Sequence, residues 1–439
     1  MILEKINKKL LKKGADDVVL ILQKKKENQI KFTNNNITSI NSWCNEIISV
    51  FCSINKKLVV TSLEDFSEKG INDLIKNIFK FQKTLLPNQN YFGIAKGTFK
   101  YKKIKDCYDQ KIINLKSKSI DLVENGINTA INDGADRCSG LLEYSNFEKH
   151  LLNSNNIEVN DKGTNYYYSV RVFKGDGSGH KVSCGNMLKK LKINKIVKEA
   201  SIIAKDSRLP RKIKAGSFDI IFDPMIFSNI LNHVATASSI SYVESGFSFL
   251  IDKLNNKVAS ENVTLIDDAT LPNGFNSIKF DDEGVPTKKN IIIDKGILKT
   301  YLYNTSYAKK YNVKTTANAG LIDPHPYNIV LKKGDYEKEE LISELKKGLY
   351  VTNTWYTRFQ NYIKGDFSTI PRDGIFYIEK GKIKYPVKDI RISDNILHIL
   401  KNITHIGKKQ DEVLGWEVEI PTITPMVLSK NINITKSTS

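Results

Sequence analysis

Arginine is nearly missing from this 439-residue chain: seven stand against sixty lysines, and the net charge of +19 rests on lysine spread along the whole sequence. Base readout and phosphate clamping favour arginine's rigid fork. No recognised nucleic-acid motif occurs, so nucleic acid is not expected as a partner. Cysteine is scarce as well. Cys44, Cys52, Cys107, Cys138 and Cys184 are odd in number, widely spread and without a CxxC pair, which argues against a disulfide framework or a zinc ribbon. No apolar run approaches the roughly 18 residues that cross a bilayer as a helix. The basic start, MILEKINKKLLKKGADD, has apolar residues at helical spacing (Ile2, Ile6, Leu10) and lacks a signal peptide's continuous apolar segment. An amphipathic first helix, no membrane partner and a cytoplasmic location are therefore expected. GxSxG and Walker sequences are absent too.

What is present fits a globular protein of two or three domains, with 40% hydrophobic and 9% aromatic residues. DDVVLILQ, NQIKFTNN, EIISVFCSI and KKLVVTS read as strands, and SEKGINDLIKNIFKFQK carries the 3.6-residue period of a helix. A polar stretch over residues 87–109 reads as a loop. IDLVENGINTAIND and NKIVKEASIIAKDSR read as helices, with strands at GLLEYS and NYYYSVRVFK between them. LPRKIKAGS then marks a boundary. Beyond it, SFDIIFDP predicts a strand running into a helix capped by Asp223 with Pro224 at its first position. Hairpins are predicted at Asp294-Lys295-Gly296 and Lys380-Gly381, and YEKEELISELKKG reads as a helix closed by Gly348. The fold class is α+β. Residues 1–100 form an N-terminal α/β region, 101–212 a middle α+β region, 213–432 a strand-rich C-terminal domain and 433–439 a tail.

Three segments are candidates for chemistry. FKGDGSGHK has closely spaced glycines after a strand, but no helix follows to present amides to a phosphate, so a hairpin turn is the better reading. His180 and Cys184 near it make only two metal ligands. KFDDEGVPT holds three successive acids, without the alternation of a calcium loop; it reads as a turn with its charges in water. The helix after Asp223, IFSNILNHVATASS, has one histidine, His233, on the border of the stripe Ile226, Ile230, Val234 and Ala237. Two zinc ligands on a helix need spacing of about three to five residues. The flanking Ser228, Asn229, Thr236 and Ala237 offer no second good ligand, so a hydrogen-bonded packing residue is expected.

FDDEGVPTKKNIIIDKGILKTYLYNTSYAKK, TANAG and YTRFQNYIKGDFSTIPRDGIFYIEKGKIKYPVKDIRISDNILHILKNITHIG together resemble the C-terminal half of the TldD/TldE (PmbA) proteins, in order and spacing from about Ser217 to Leu428. The resemblance implies a TldD/PmbA-like fold and a cytoplasmic zinc metallopeptidase built from two related subunits, acting on unfolded or small peptides, in a family also labelled a modulator of DNA gyrase. The TldD-type subunit carries an HExxxH helix and a downstream cysteine as ligands; the TldE type has the fold without them. On this chain, Ser228 stands at the first histidine, Asn229 at the glutamate, His233 at the second histidine and Leu414 at the cysteine.

The resemblance thus implies a TldE-like, non-catalytic subunit with no catalytic and no metal-binding residue of its own. Zinc is expected on a TldD-type paralogous partner, with a peptide as substrate, and a homodimer is left open. Two alternatives stay open: a peptidase active by itself through a non-standard metal site that includes His233, and a basic scaffold or nucleic-acid-associated protein.

Overall fold

The structure, a computed structural model, describes residues 2–436. A first helix, α1 (Ile2–Lys12), leads into strands β1 (Asp17–Thr33), β2 (Asn36–Ile54) and β3 (Lys57–Leu63). Helices α2 (Glu68–Gln82), α3 (Gln110–Ile113) and α4 (Lys118–Asn132) follow. Strands β4 (Arg137–Asn153), β5 (Glu158–Lys174) and β6 (Gly177–Gly185) and helix α5 (Ile193–Asp206) complete this part. The six strands make one antiparallel sheet in the order β3-β2-β1-β4-β5-β6, so the segments on either side of residue 100 share it.

Successive residues of a strand face opposite ways. Val18 and Leu20 of β1 pack with α1 and α2, while Val19 and Ile21 pack with Tyr91, Ile94 and Ala95 from the irregular stretch before α3. Both faces are covered there, which is why VVLIL is apolar throughout. The two strands predicted over residues 16–23 and 28–35 are largely one. β2 and β4 flank β1 on both sides through the polar QKKKEN, and backbone pairing carries it without an apolar signal.

The second part holds β7 (Arg211–Lys212), β8 (Gly216–Phe222), α6 (Pro224–Ala237), α7 (Ile240–Glu244), β9 (Leu265–Asp268), β10 (Lys289–Asp294), β11 (Ile297–Leu298), α8 (Thr305–Lys310) and β12 (Ile329–Leu331). It continues with α9 (Lys338–Ser343), β13 (Lys347–Asn361), β14 (Asp366–Glu379), β15 (Lys382–Lys388), β16 (Ile390–Asn395), α10 (Ile396–Lys401), β17 (Ile403–Gly415) and β18 (Val418–Lys436). These strands form a mixed sheet around β18, β8 and β13, with β8 parallel to β13 and antiparallel to β18. Phe218, Ile220 and Phe222 of β8 pack against α6; Ile221 faces Leu341 and Leu345 on the other side. Among the described residues, no helix is long and apolar enough to cross a membrane.

Both predicted hairpins form. Lys295 and Gly296 have φ of 45° and 81°, and Lys380 and Gly381 have 51° and 69°, the two successive positive values of a tight primed turn. Two expectations are corrected. The helix over YEKEELISELKKG stops at Ser343, and Gly348 lies inside β13, where an added Cβ would stand 2.4 Å from the Asp219 carbonyl oxygen of β8. The residues set apart as a tail continue β18 through Lys436, because Ile434 pairs with both β16 and β8 and is buried in the core; residues 437–439 lie outside the described residues.

Two buried carboxylates tie the sheets together. Asp223, fully buried at the start of α6, accepts from Met225 N (3.4 Å), from Lys181 Nζ on β6 (2.9 Å) and from Tyr350 Oη on β13 (2.7 Å). Asp373 on β14 accepts from Arg171 Nη2 (2.9 Å), Ser178 Oγ (2.7 Å) and Asn353 Nδ2 (2.9 Å). Asp223→Ala removes the cap and strands Lys181, whose side chain is 11% exposed. Urea unfolding is expected to show a loss of about 3–5 kcal/mol. Asp223→Asn, which keeps a cap acceptor, is expected to lose less. Wild-type stability of the alanine variant contradicts this role.

Candidate functional site

Asp223 and Pro224 start α6 as predicted, and the helix then runs through nearly solid protein. Twelve of its fourteen residues are buried, so the stripe of four apolar positions is a buried cylinder with one polar side, on which only His233 and Thr236 are half-exposed. That side is formed by Asn229, Asn232, His233 and Thr236, spaced three and four apart on one helical face. With Thr357, Arg358, Trp416 and Glu417 they line an open groove of about 1000 Å³.

The polar side chains of α6 are committed to structure. Ser228 Oγ donates to Pro224 O (2.6 Å), one turn back, and is fully buried. Asn229 Nδ2 donates to Glu417 O (2.7 Å) while its Oδ1 accepts from Thr357 Oγ1 (2.8 Å). Asn232 donates to Ile420 O (2.9 Å) and to Thr422 Oγ1 (2.7 Å), and accepts from Ile420 N (2.8 Å). The helix thereby holds the β17–β18 hairpin against itself. Glu417, in the hairpin's turn, accepts from the backbone N–H groups of Tyr356 and Thr357 at 2.9 Å each, which binds β13 into the same cluster.

Of the four positions singled out in the sequence, Asn229 and His233 meet in the groove. Ser228 turns away from it, and Leu414, half-buried on β17, is not among its lining residues. His233 stands edge-on to Phe359, with ring centroids 4.8 Å apart, and its buried Nε2 has no hydrogen-bond partner. The ring packs on an aromatic neighbour, and the hydrogen bond expected of it is not made by Nε2 among the described residues. Burial pushes its pKa down to about 4, against the pull of Glu417. The cluster's other members, Asn232, Thr357 and Glu417, were not singled out, because nothing local marks a residue whose partner lies over a hundred positions away. The only signal was an asparagine repeating at three residues on an otherwise apolar helix.

The other candidates resolve individually. FKGDGSGHK is a β5–β6 hairpin turning at Gly175-Asp176. His180 lies 2.9 Å by Nε2 from Ser169 Oγ and 3.1 Å by Nδ1 from Asn353 Nδ2, and Cys184 Sγ approaches Glu412 O at 3.6 Å, so each has a separate set of partners. Among the described residues, no three His, Cys, Asp or Glu side chains are grouped to hold a metal ion.

KFDDEGVPT is a turn, but its charges do not lie in water, and that expectation is corrected. Asp281 is fully buried and accepts from the N–H groups of Glu283, Val285 and Ala319; Glu283 is 6% exposed and accepts from Ala95 N (3.1 Å). Among the described residues, only Asp282 of the three pairs with a cation, Lys149 Nζ at 2.6 Å. The irregular stretch before α3 folds over the turn and covers it, which no local pattern announces.

Comparison with known proteins places this geometry. Residues 215–436 match the model of the PmbA/TldA metallopeptidase C-terminal domain. A metalloprotease of Methanocaldococcus jannaschii is 35% identical over 207 residues, 46% of this chain and 46% of that protein, so that match spans about half of each. A metalloprotease PmbA homolog of Buchnera aphidicola is 27% identical over 419 residues, 88% of this chain and 92% of its own. The crystal structure of TldE from Thermococcus kodakarensis superposes with a TM-score of 0.87 at 20% identity, covering 99% of this chain and 100% of that one.

An imidazole buried without a partner makes the fold sensitive to acid. The folded pKa of His233, about 4, is below the ordinary value of 6.5, so the unfolded chain takes up a proton first. Stability from a neutral His233 is complete above about pH 6.5 and is lost as pH falls toward 4. Between pH 7 and pH 5 the wild type is expected to lose about 2 kcal/mol more than His233→Phe, by urea unfolding at both pH values. Equal losses contradict the assignment.

Proposed function

This chain belongs to the TldD/TldE (PmbA) metallopeptidase family, and from that premise we propose that it is a TldE-like subunit which does not bind the catalytic zinc and which pairs with a TldD-type paralogue. The observation that carries the reading is the state of the donor atoms on α6. A catalytic zinc takes three protein ligands from imidazole, thiolate or carboxylate. At the corresponding positions this chain presents a serine hydroxyl donating to Pro224 O, a carboxamide engaged at both ends, one imidazole, and Leu414, which has no donor atom. These residues do not fit the metal. Asn229 also cannot take a proton from an attacking water as a glutamate would.

The contribution left to the chain is binding and shape. Residues 36–47 of β2 pair with β1 on one side and, among the described residues, with no strand on the other, because β3 begins its pairing at Ile48. Such an edge offers backbone N–H and C=O groups to an extended peptide. Unfolded or small peptides are the substrate class this suits, and the cytoplasm is the expected compartment.

Co-expression with a TldD-type partner tests the proposal. A shared size-exclusion peak is expected, with peptidase activity in the pair and none in this chain alone. The isolated chain is expected to purify with far less than one zinc per molecule. Stoichiometric zinc that disappears in His233→Ala, together with activity of the chain alone, would sink the reading in favour of a self-sufficient peptidase.

A further inference from the structure

The buried acid of the KFDDEGVPT turn opens onto a recess that neither the family assignment nor the groove beside α6 uses. It lies between the two sheets and encloses about 580 Å³, part of it open to solvent. Val19, Phe51, Leu58 and Ile94 give it an apolar wall. Asp323 and Asn90 are exposed and mark its mouth; Glu283, 6% exposed, marks its inner end.

Glu283 has no counter-ion. Its Oε2 accepts from Ala95 N (3.1 Å), and no Lys, Arg or His pairs with it among the described residues. The cations nearby are occupied: Lys149 binds Asp282, Lys309 donates to Phe92 O (3.0 Å), and Lys56 lies over the Phe92 ring. Tyr91, which also lines the recess, gives its hydroxyl proton to Asp17 Oδ2 (2.8 Å). Beside the carboxylate lies Thr305, at the start of α8, whose backbone amide and hydroxyl point toward it and favour its charged form. A buried carboxylate that lacks a cation, at the inner end of a recess with an apolar wall, has the chemistry of a site for a charged amine on an aliphatic stem.

We propose that this recess binds small alkylammonium ions, with the ammonium against Glu283 and the stem along Val19, Phe51, Leu58 and Ile94. The proposal stands apart from the pairing with a TldD-type subunit and is tested on the isolated chain. Burial and the charge of Asp281 push Glu283 up to about 8, so near neutral pH it is largely protonated. An ammonium favours the ionised form and expels that proton. The other titratable groups around the recess are Asp281, held by three backbone amides and still pushed by burial up to about 7, Asp282 with Lys149, Asp17 with Tyr91, Tyr307, which burial pushes up to about 12, and the exposed Asp323. Affinity should therefore rise as pH rises, by up to about tenfold per unit below about pH 8, and then level off.

Isothermal calorimetry of the full chain with n-butylamine, 1,5-diaminopentane and Nα-acetyl-lysine amide provides the test, with n-butanol as the uncharged control. The amines are expected to bind with Kd on the order of 1 mM, with close to one proton released at pH 7 as read from buffers of different ionisation heat. Tighter binding of the free amines identifies a free amine as the natural ligand, and tighter binding of the lysine derivative identifies a lysine side chain; both support the site. Glu283→Gln is expected to lose about tenfold or more in affinity and all of the proton release. Asn90→Trp, a change at an exposed position of the mouth, is expected to weaken binding while leaving thermal stability unchanged. Absence of binding by every amine, equal binding of n-butanol, or undiminished binding by a folded Glu283→Gln variant overturns the proposal.

Discussion

One buried carboxylate sets the geometry on which everything else here rests. Asp223 joins a lysine from the first sheet, a tyrosine from the second and the first free amide of α6. Burial pulls the pKa of the Lys181 ammonium down; Asp223, with Asp411 and Glu199 behind it, more than offsets that and keeps it raised. A buried ion pair adds little net stability over a well-packed apolar substitute, because both charges lose their water. What it does supply is direction. An apolar contact tolerates sliding, whereas a lysine and a phenol meeting one carboxylate fix where β6 and β13 stand relative to the start of α6. The groove at the middle of α6 and the recess at Glu283 are both built from pieces on either side of such fixed points.

The polar face of α6 shows how one helix can serve two chemistries. Projecting side chains inward at intervals of three and four residues is what a metal-binding helix requires, and it equally suits a helix that must clamp a hairpin. Here the clamp has taken the positions over. The carboxamides of Asn229 and Asn232 each donate and accept at once, which carboxylates could not do, and they reach backbone groups of the hairpin some 188 residues away in sequence. A carboxylate at Asn229 would face the Glu417 carbonyl oxygen instead of donating to it. A change at Asn229 alone would therefore cost the hairpin one of its two anchors on the helix, while Asn232 would keep the other. His233 remains beside this clamp, packed on Phe359, with an Nε2 that has no hydrogen-bond partner among the described residues.

Elements whose signals are local were legible in the sequence. The Asp-Pro cap of α6, the lysine-glycine turns and the amphipathic helices α1, α2, α4 and α5 each depend on residues a few positions apart. Elements decided by distant pairing were not. The polar middle of β1 is strand because β2 and β4 flank it, and Gly348 serves a close approach to β8 where a helix end was expected. At the site, the positions of Ser228, Asn229 and His233 could be read from the helix period together with the family resemblance. Their partners could not: Thr357 and Glu417 come from other strands, and no pattern in their own neighbourhoods marks them.

The acidic turn is the sharpest case of that limit. Three adjacent acids before Gly-Val-Pro satisfy every local criterion for a solvated turn, and the backbone does turn there. Whether the charges meet water is settled by residues 91–95, which lie nearly two hundred positions earlier and carry the apolar side chains that close over them. Backbone amides offset part of the burial of Asp281, whose pKa is still pushed up to about 7, and Asp282 is paired with Lys149. Glu283 has no cation among the described residues, and hydrogen bonds from Ala95 and Thr305 do not offset its burial, so the cost of its charge is met by holding a proton. A carboxyl group in that condition binds its proton only about as firmly as neutral solution demands, so a better-placed positive charge can displace it. Burial by a distant segment has thus converted a structural turn into a group with an unused capacity for a cation.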